Sequence, residues 1–319
     1  MDSWKQQSLL FVVSLRLFLI QFRAEICLAT STVCHNTNVT CSESDLVKIY
    51  WNLNGLFQED PVLIEALRRD ILVAPDSLPL QMAGQPSKKR IMGQFNQVET
   101  IEKVLGLKKK SFTPDVFVEA GASCGEYMSN TLYLEMKYNW TGLLVEPNPD
   151  LLKKLYSKHR NAWILPHCLS TTKYVEVMDF DASFYNSGIF QRGKPWPSQL
   201  GGRDYDKVPR KSYERELQVQ CFPLYSVLKA LDRLNIGYFS LDVEGAEYVV
   251  LKSIPWHQVN ITLLSVETNH AGKIFEGSRK DIQDILVKNG YEWIKTVVID
   301  DFFLHRRFKE VRKSPHSEL

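Results

Sequence analysis

Three short segments carry most of the residues able to do chemistry. In Val118-Glu119-Ala120-Gly121-Ala122-Ser123-Cys124-Gly125-Glu126, an apolar run ends in an acid and two glycines. Gly121 and Gly125 would let the backbone turn tightly and let a ligand approach it closely. A helix starting there also offers amide hydrogens that have no partner within the helix. In Leu144-Val145-Glu146-Pro147-Asn148, a second apolar run ends in Glu146, 25 residues after Gly121. An acid at that place in a doubly wound sheet can accept both hydroxyls of a ribose. In Leu241-Asp242-Val243-Glu244-Gly245-Ala246-Glu247, three carboxylates gather around one glycine. Acids at a helix start can simply complement its dipole, worth about 0.3–1 kcal/mol each. That accounts for Glu244 and Glu247. It leaves Asp242, which ends an apolar run beside a glycine, unexplained.

The spacing G-x-x-x-G departs from the dinucleotide pattern G-x-G-x-x-G, because Ser123 stands where the middle glycine would be. A bulky pyrophosphate is disfavoured, and with it a nicotinamide-dependent oxidoreductase. A compact sulfonium cofactor fits better, with its amino-acid part near Glu119 and Gly121. A fourth segment, Ser265-Val266-Glu267-Thr268-Asn269-His270, supplies candidate proton acceptors. His270 is the histidine best placed to act as a general base. Asp242 and Glu267 could share that role or hold a divalent ion. No C-x-x-C or Cys/His zinc spacing occurs, and no resident metal is expected.

These segments need a scaffold that brings them to one edge. Runs near 116–119, 142–146, 162–165, 238–243 and 261–267 are apolar and short, as buried parallel strands are. Helix-spaced runs near 127–138, 150–159, 224–234, 246–254 and 278–289 separate or flank them. Residues 174–180 alternate and are expected to pair with 217–222, and 291–298 with 300–305. This pattern predicts an α/β domain, a mostly parallel sheet covered by helices on both faces. Residues 30–111 read as a helical N-terminal extension and linker. Residues 186–216, rich in glycine, proline and basic side chains around Trp196, read as a solvated insertion that could serve as a lid or acceptor surface.

The segment DVEGAE resembles the signature of the FkbM-type methyltransferase family. GYFSLDVEGAEYVVLKSIPW and FVEAGASCGEYMSNTLYLE are similar to its animal Star-like branch. The resemblance covers residues 112–308 and implies a Rossmann-like, seven-stranded methyltransferase sheet binding S-adenosylmethionine. By position it implies that Glu119, Gly121, Ala122 and Gly125 form the cofactor loop, with Glu146 and Pro147 at the ribose and Asp242 in the same pocket. Asp242, Glu244, Glu267 and His270 would face the reaction. The implied activity is methyl transfer to an oxygen acceptor, whether glycan, small molecule or protein. The Star-like resemblance also implies a second reading: a trafficking factor for secretory cargo, in export from the endoplasmic reticulum to the Golgi, that keeps the fold without the chemistry.

Both ends of the chain read as addresses. The apolar run 9–22, preceded by Lys5, suggests that residues 1–29 are a signal peptide or a signal-anchor associating with the membrane through residues 8–22. Residues 309–319 form a polar tail ending His-Ser-Glu-Leu, similar to a luminal retention tetrapeptide. Sequons at Asn38, Asn139 and Asn260 agree with an endoplasmic reticulum or secretory lumen. Of six cysteines, Cys34 and Cys41 could close a small loop. Cys124, Cys168 and Cys221 are expected to be buried and free. A formal net charge of +2 gives no electrostatic basis for nucleic-acid binding.

Overall fold

In the computed structural model, the described residues are 53–83, 93–109, 115–182, 187–190 and 216–308. All of them belong to one compact unit, Leu53–Leu319. The expected signal segment, Cys34, Cys41, the polar tail and nearly all of the basic insertion lie outside the described residues.

The described elements run α1 (Pro61–Ala66), α2 (Gln97–Leu105), β1 (Val116–Ala120), α3 (Leu132–Tyr138), β2 (Thr141–Val145), α4 (Pro149–Tyr156), β3 (Ala162–Leu165), β4 (Cys168–Leu169) and β5 (Glu176–Asp181). They continue β6 (Gly188–Phe190), β7 (Glu216–Phe222), α5 (Leu224–Ala230), β8 (Asn235–Leu241), α6 (Glu247–Ser253), β9 (Asn260–Glu267), α7 (Arg279–Lys288), β10 (Tyr291–Val297) and β11 (Asp300–His305). The main sheet has seven strands in the order β10-β11-β9-β8-β1-β2-β3. Its five strands from β9 to β3 are parallel, and β10 and β11 form an antiparallel edge pair. The alternation of strands and helices predicted the parallel sheet, and its seven strands are the Rossmann-like arrangement that the family resemblance implied. β1 is buried along its whole length, as a central parallel strand must be.

Strand order reverses between β1 and β8. One limb of the sheet grows through β2 and β3, the other through β9. Right-handed crossovers therefore place α3 and α4 on one face and α6 on the other. The chain turns toward opposite faces of the sheet after β1 and β8, and open α/β sheets bind ligands in the crevice at such a switch point, outside the carboxyl ends of the strands.

α3 begins at Leu132, later than the expected Tyr127. The intervening residues serve other contacts: Met128 sits at φ +65°, and Ser129, Asn130 and Thr131 turn their polar groups onto Glu119. Part of the N-terminal extension is built into the domain. Val73 and Ile164 exchange backbone hydrogen bonds of 2.9 Å, adding a bridge beyond β3. Ser226 Oγ donates to Gln58 O at 2.7 Å, tying the start of this segment to α5.

A second sheet has the order β4-β7-β5-β6 and includes the expected pairing of β5 with β7. Here one expectation fails. Cys168 and Cys221 are paired residues of the parallel strands β4 and β7, and they form a disulfide. Only Cys124 among the described cysteines is free and buried. Asn139 and Asn260 are exposed and lie where β2 and β9 begin, at the sheet edge opposite the crevice. Among the described residues, no helix is long and apolar enough to cross a membrane.

Candidate functional site

The site starts from the loop after β1. Gly121 adopts φ +85°, and a Cβ added there would meet the Asp242 carbonyl oxygen at 2.0 Å. The loops leaving β1 and β8 therefore touch through their backbones. The amides of Gly121 and Ala122 both donate to Val145 O, at 3.1 and 3.0 Å, which fastens the turn to the end of β2. Gly125 adopts φ +73°, a conformation that side-chain-bearing residues rarely take, and an added Cβ would press on the end of the Leu155 side chain.

Glu146 leaves β2 directly beside this turn. Its Oε2 accepts from Ser123 N at 2.7 Å and its Oε1 from Asn148 N at 2.8 Å. Ser123 reaches that position with φ +51°, and its buried Oγ has no hydrogen-bond partner. Burial pushes the Glu146 carboxyl up to about 7 despite the two amide donors. A carboxylate offers about four lone-pair sites, so each oxygen can still accept a further hydroxyl. Pro147 is half-buried behind it.

Glu119 is placed differently. Its carboxylate points into the start of α3, accepting from Asn130 N at 2.6 Å, Thr131 Oγ1 at 2.6 Å and Ser129 Oγ at 2.8 Å. Burial raises its pKa, and Arg160 nearby works against that rise. Arg160 carries no sign of this role in the sequence. Its buried guanidinium pairs with Glu135 Oε2 at 2.7 Å and donates to Gly125 O at 2.5 Å and Thr131 Oγ1 at 3.1 Å. Glu119 and Arg160 together hold the loop from beneath.

The acidic side is assembled by β8 and β9. Asp242 follows β8 and is partly exposed. Glu244 is held in the left-handed region at φ +58°, followed by Gly245 at +106°. Glu247 folds back from the start of α6, and its Oε1 accepts from Val243 N at 2.9 Å and Gly245 N at 3.1 Å. Glu267 ends β9 and is buried. His270 Nδ1 lies 2.9 Å from Glu244 Oε2 and 3.5 Å from Glu267 Oε1. The contact to Glu244 has ion-pair distance without hydrogen-bond alignment.

Burial and crowding shift Asp242, Glu244 and Glu247 upward. Burial raises Asp242 well above the usual carboxylate range, with repulsion from Glu267 and Glu244 adding to it. Burial, then Glu267, pushes Glu247 up to about 8. Burial also raises Glu244, while His270 opposes it. Burial disfavours the charged form of His270, but Glu244 and Glu267 outweigh it and hold the imidazole at about 10. The raised pKa favours the imidazolium form, a donor with no lone pair for a proton. In this geometry His270 sits against two carboxylates, Glu244 and Glu267.

The strand order and the switch point between β1 and β8 define a Rossmann-like methyltransferase fold. The sequence model described as the methyltransferase FkbM domain matches residues 115–293, and the chain belongs to that family. No curated protein matches the chain. Among solved structures, it is similar to the METTL16 methyltransferase domain, at 12% identity and TM-score 0.37, over 83% of this chain and 91% of that one. It is also similar to magnesium protoporphyrin IX methyltransferase from Synechocystis PCC 6803 with bound SAH, at 12% identity and TM-score 0.33, over 70% of this chain and 90% of that one. Likeness this distant says nothing of substrate.

Proposed function

We propose that this protein transfers a methyl group from S-adenosylmethionine to an oxygen acceptor in the secretory pathway. One observation carries the cofactor assignment: Glu146, fixed by the Ser123 amide, stands beside a glycine turn pressed against Asp242. The residues fit the cofactor. Glu146 has acceptor capacity left for two ribose hydroxyls, Gly121 exposes backbone where a side chain cannot fit, and Ser123 Oγ is a buried polar atom lacking a partner. The bound cofactor supplies an electrophilic methyl group.

The rest is work for this chain. Glu146 orients the nucleoside, and the turn at Gly121 sets its distance from Asp242. Attack by a hydroxyl releases a proton, and Asp242 and Glu267 are the carboxylates placed to take it. Glu244 and His270 hold Glu267 in position.

Secretory placement is supported by the Cys168–Cys221 disulfide, since such bonds persist in oxidising compartments. The exposed positions of Asn139 and Asn260, away from the crevice, agree with it. The test is calorimetry of the purified chain with S-adenosylhomocysteine. Binding is expected, and Glu146→Ala should lose most of it. A folded wild-type protein that binds neither this ligand nor S-adenosylmethionine would leave only the trafficking reading. A methyl-transfer assay on glycan and protein acceptors then separates an enzyme from a binder.

A further inference from the structure

We infer that Asp242, Glu247 and Glu267 form a site for a hard divalent cation such as Mg²⁺ or Mn²⁺. The three side chains each offer an oxygen, and these oxygens lie within 4.8 Å of one another. Acid clusters are common on protein surfaces, but this one is largely interior. Glu247 is fully buried and Glu267 is 3% exposed. Each has one buried oxygen, Oε2, that accepts no hydrogen bond. Such an orphan is costly, because a buried charge must be paired or hold a metal.

The opposite oxygens are already engaged. Glu247 Oε1 takes two backbone amides, and Glu267 Oε1 lies 3.5 Å from the His270 imidazole. In Glu247, one oxygen fixed by the protein and the other left open is how a monodentate metal ligand is held by its outer partners.

A second trio, Glu244, Glu267 and His270, also converges within 4.8 Å. That trio includes a nitrogen ligand, with His270 Nδ1 2.9 Å from Glu244 Oε2, so it is not an all-oxygen set. Among the described residues, the basic side chain that reaches Asp242, Glu247 or Glu267 is His270, through the far side of Glu267. An all-oxygen set suits Mg²⁺, Mn²⁺ or Ca²⁺ over zinc or copper. Asp242, the partly exposed member, gives the cation an open side. There it could polarise an acceptor hydroxyl as a Lewis acid and help position it, and a cation-bound Glu267 would leave the proton to the partly exposed Asp242. That use rests on the methyl-transfer reading; cation binding does not.

The test is a titration of the full-length, chelator-treated chain with Mn²⁺, followed by electron paramagnetic resonance and calorimetry. About one Mn²⁺ per chain is expected, displaced by excess Mg²⁺. Glu247→Gln and Glu267→Gln should each weaken binding at least about tenfold, the scale of disturbing a metal's protein shell. Asp242→Asn, on the exposed side, serves if either buried variant fails to fold. Asp284→Asn, on the surface of α7, should bind as wild type does. S-adenosylhomocysteine binding is measured in parallel: Glu146→Gln should lose that ligand and keep Mn²⁺. Absence of Mn²⁺ binding by folded wild type would overturn the site and point to carboxylic acids sharing protons. Undiminished binding in the folded ligand variants would overturn it equally.

Discussion

Gly121 and Asp242 meet so closely that a side-chain carbon on the glycine would lie 2.0 Å from the carbonyl oxygen of the aspartate. The contact is between two backbones, so neither partner can swing aside as a flexible side chain would. It fixes the spacing between the loop after β1 and the loop after β8, the two walls of the crevice. Gly121→Ala meets this clash and a disfavoured φ of +85° together. Strained backbone alone costs about 1–3 kcal/mol, and destabilisation of at least that size is expected in urea denaturation. S-adenosylhomocysteine affinity should fall with it. Wild-type stability and affinity in Gly121→Ala would show that the two loops are free to separate.

Glu146 gives the pocket a pH dependence. Its folded pKa is raised from the model-compound 4.5 to about 7. The folded chain therefore holds a proton that the unfolded chain has released between those values. The stability this proton confers is fully present below pH 4.5 and is lost as pH rises through about 7. Ligand binding runs the other way, because ribose hydroxyls donate to the carboxylate and favour its charged form. S-adenosylhomocysteine affinity should rise as pH climbs toward 7, by up to about tenfold per unit, and level off above. Calorimetry from pH 5.5 to 8 checks this. Glu146→Gln should bind weakly with the Glu146-dependent rise removed, and an unchanged rise in that variant would assign it to another group.

Strand and helix alternation made the parallel sheet legible, and the acids at strand ends marked its functional edge. What stayed hidden depends on contacts distant in sequence. Cys168 and Cys221 are separated by 53 positions and meet only because β4 and β7 lie side by side. Glu119 looked like a ligand-facing acid because it ends β1 before a glycine, yet the polar groups of Ser129 to Thr131 claim it. Those same residues cost α3 its expected first turn. Glu247 looked like an acid complementing a helix dipole, and nothing local reveals that its second oxygen is buried. The share of residues 53–73 in the domain was equally hidden, since a backbone bridge such as Val73 to Ile164 leaves no side-chain pattern.

The Cys168–Cys221 bond should matter for stability. It closes a loop spanning 53 positions. Loop-closure entropy of that length is worth about 4 kcal/mol in the chain-entropy treatment, with about 2–5 kcal/mol typical for losing a native disulfide. The double variant Cys168→Ser/Cys221→Ser should therefore unfold at clearly lower denaturant. Addition of reductant should shift wild type the same way and leave the variant unmoved. A reductant effect of equal size in both would place the sensitive bond elsewhere.

Arg160 links the scaffold to the cofactor loop. Its guanidinium is fully buried, pairs with Glu135, and donates to the Gly125 carbonyl and to Thr131. Removing one member of a buried pair leaves the other charge uncompensated and costs about 3–5 kcal/mol. Arg160→Ala should lose that much in denaturant unfolding. Arg160→Lys keeps the charge but has no planar fork, so it cannot reach Glu135, Gly125 and Thr131 together. Its stability should fall between the alanine variant and wild type. The loop should respond as well, because Gly125 would lose its anchor: S-adenosylhomocysteine affinity is expected to drop in Arg160→Lys even where the protein is fully folded. A lysine variant with wild-type affinity and reduced stability would confine Arg160 to the core and remove it from any role in shaping the pocket.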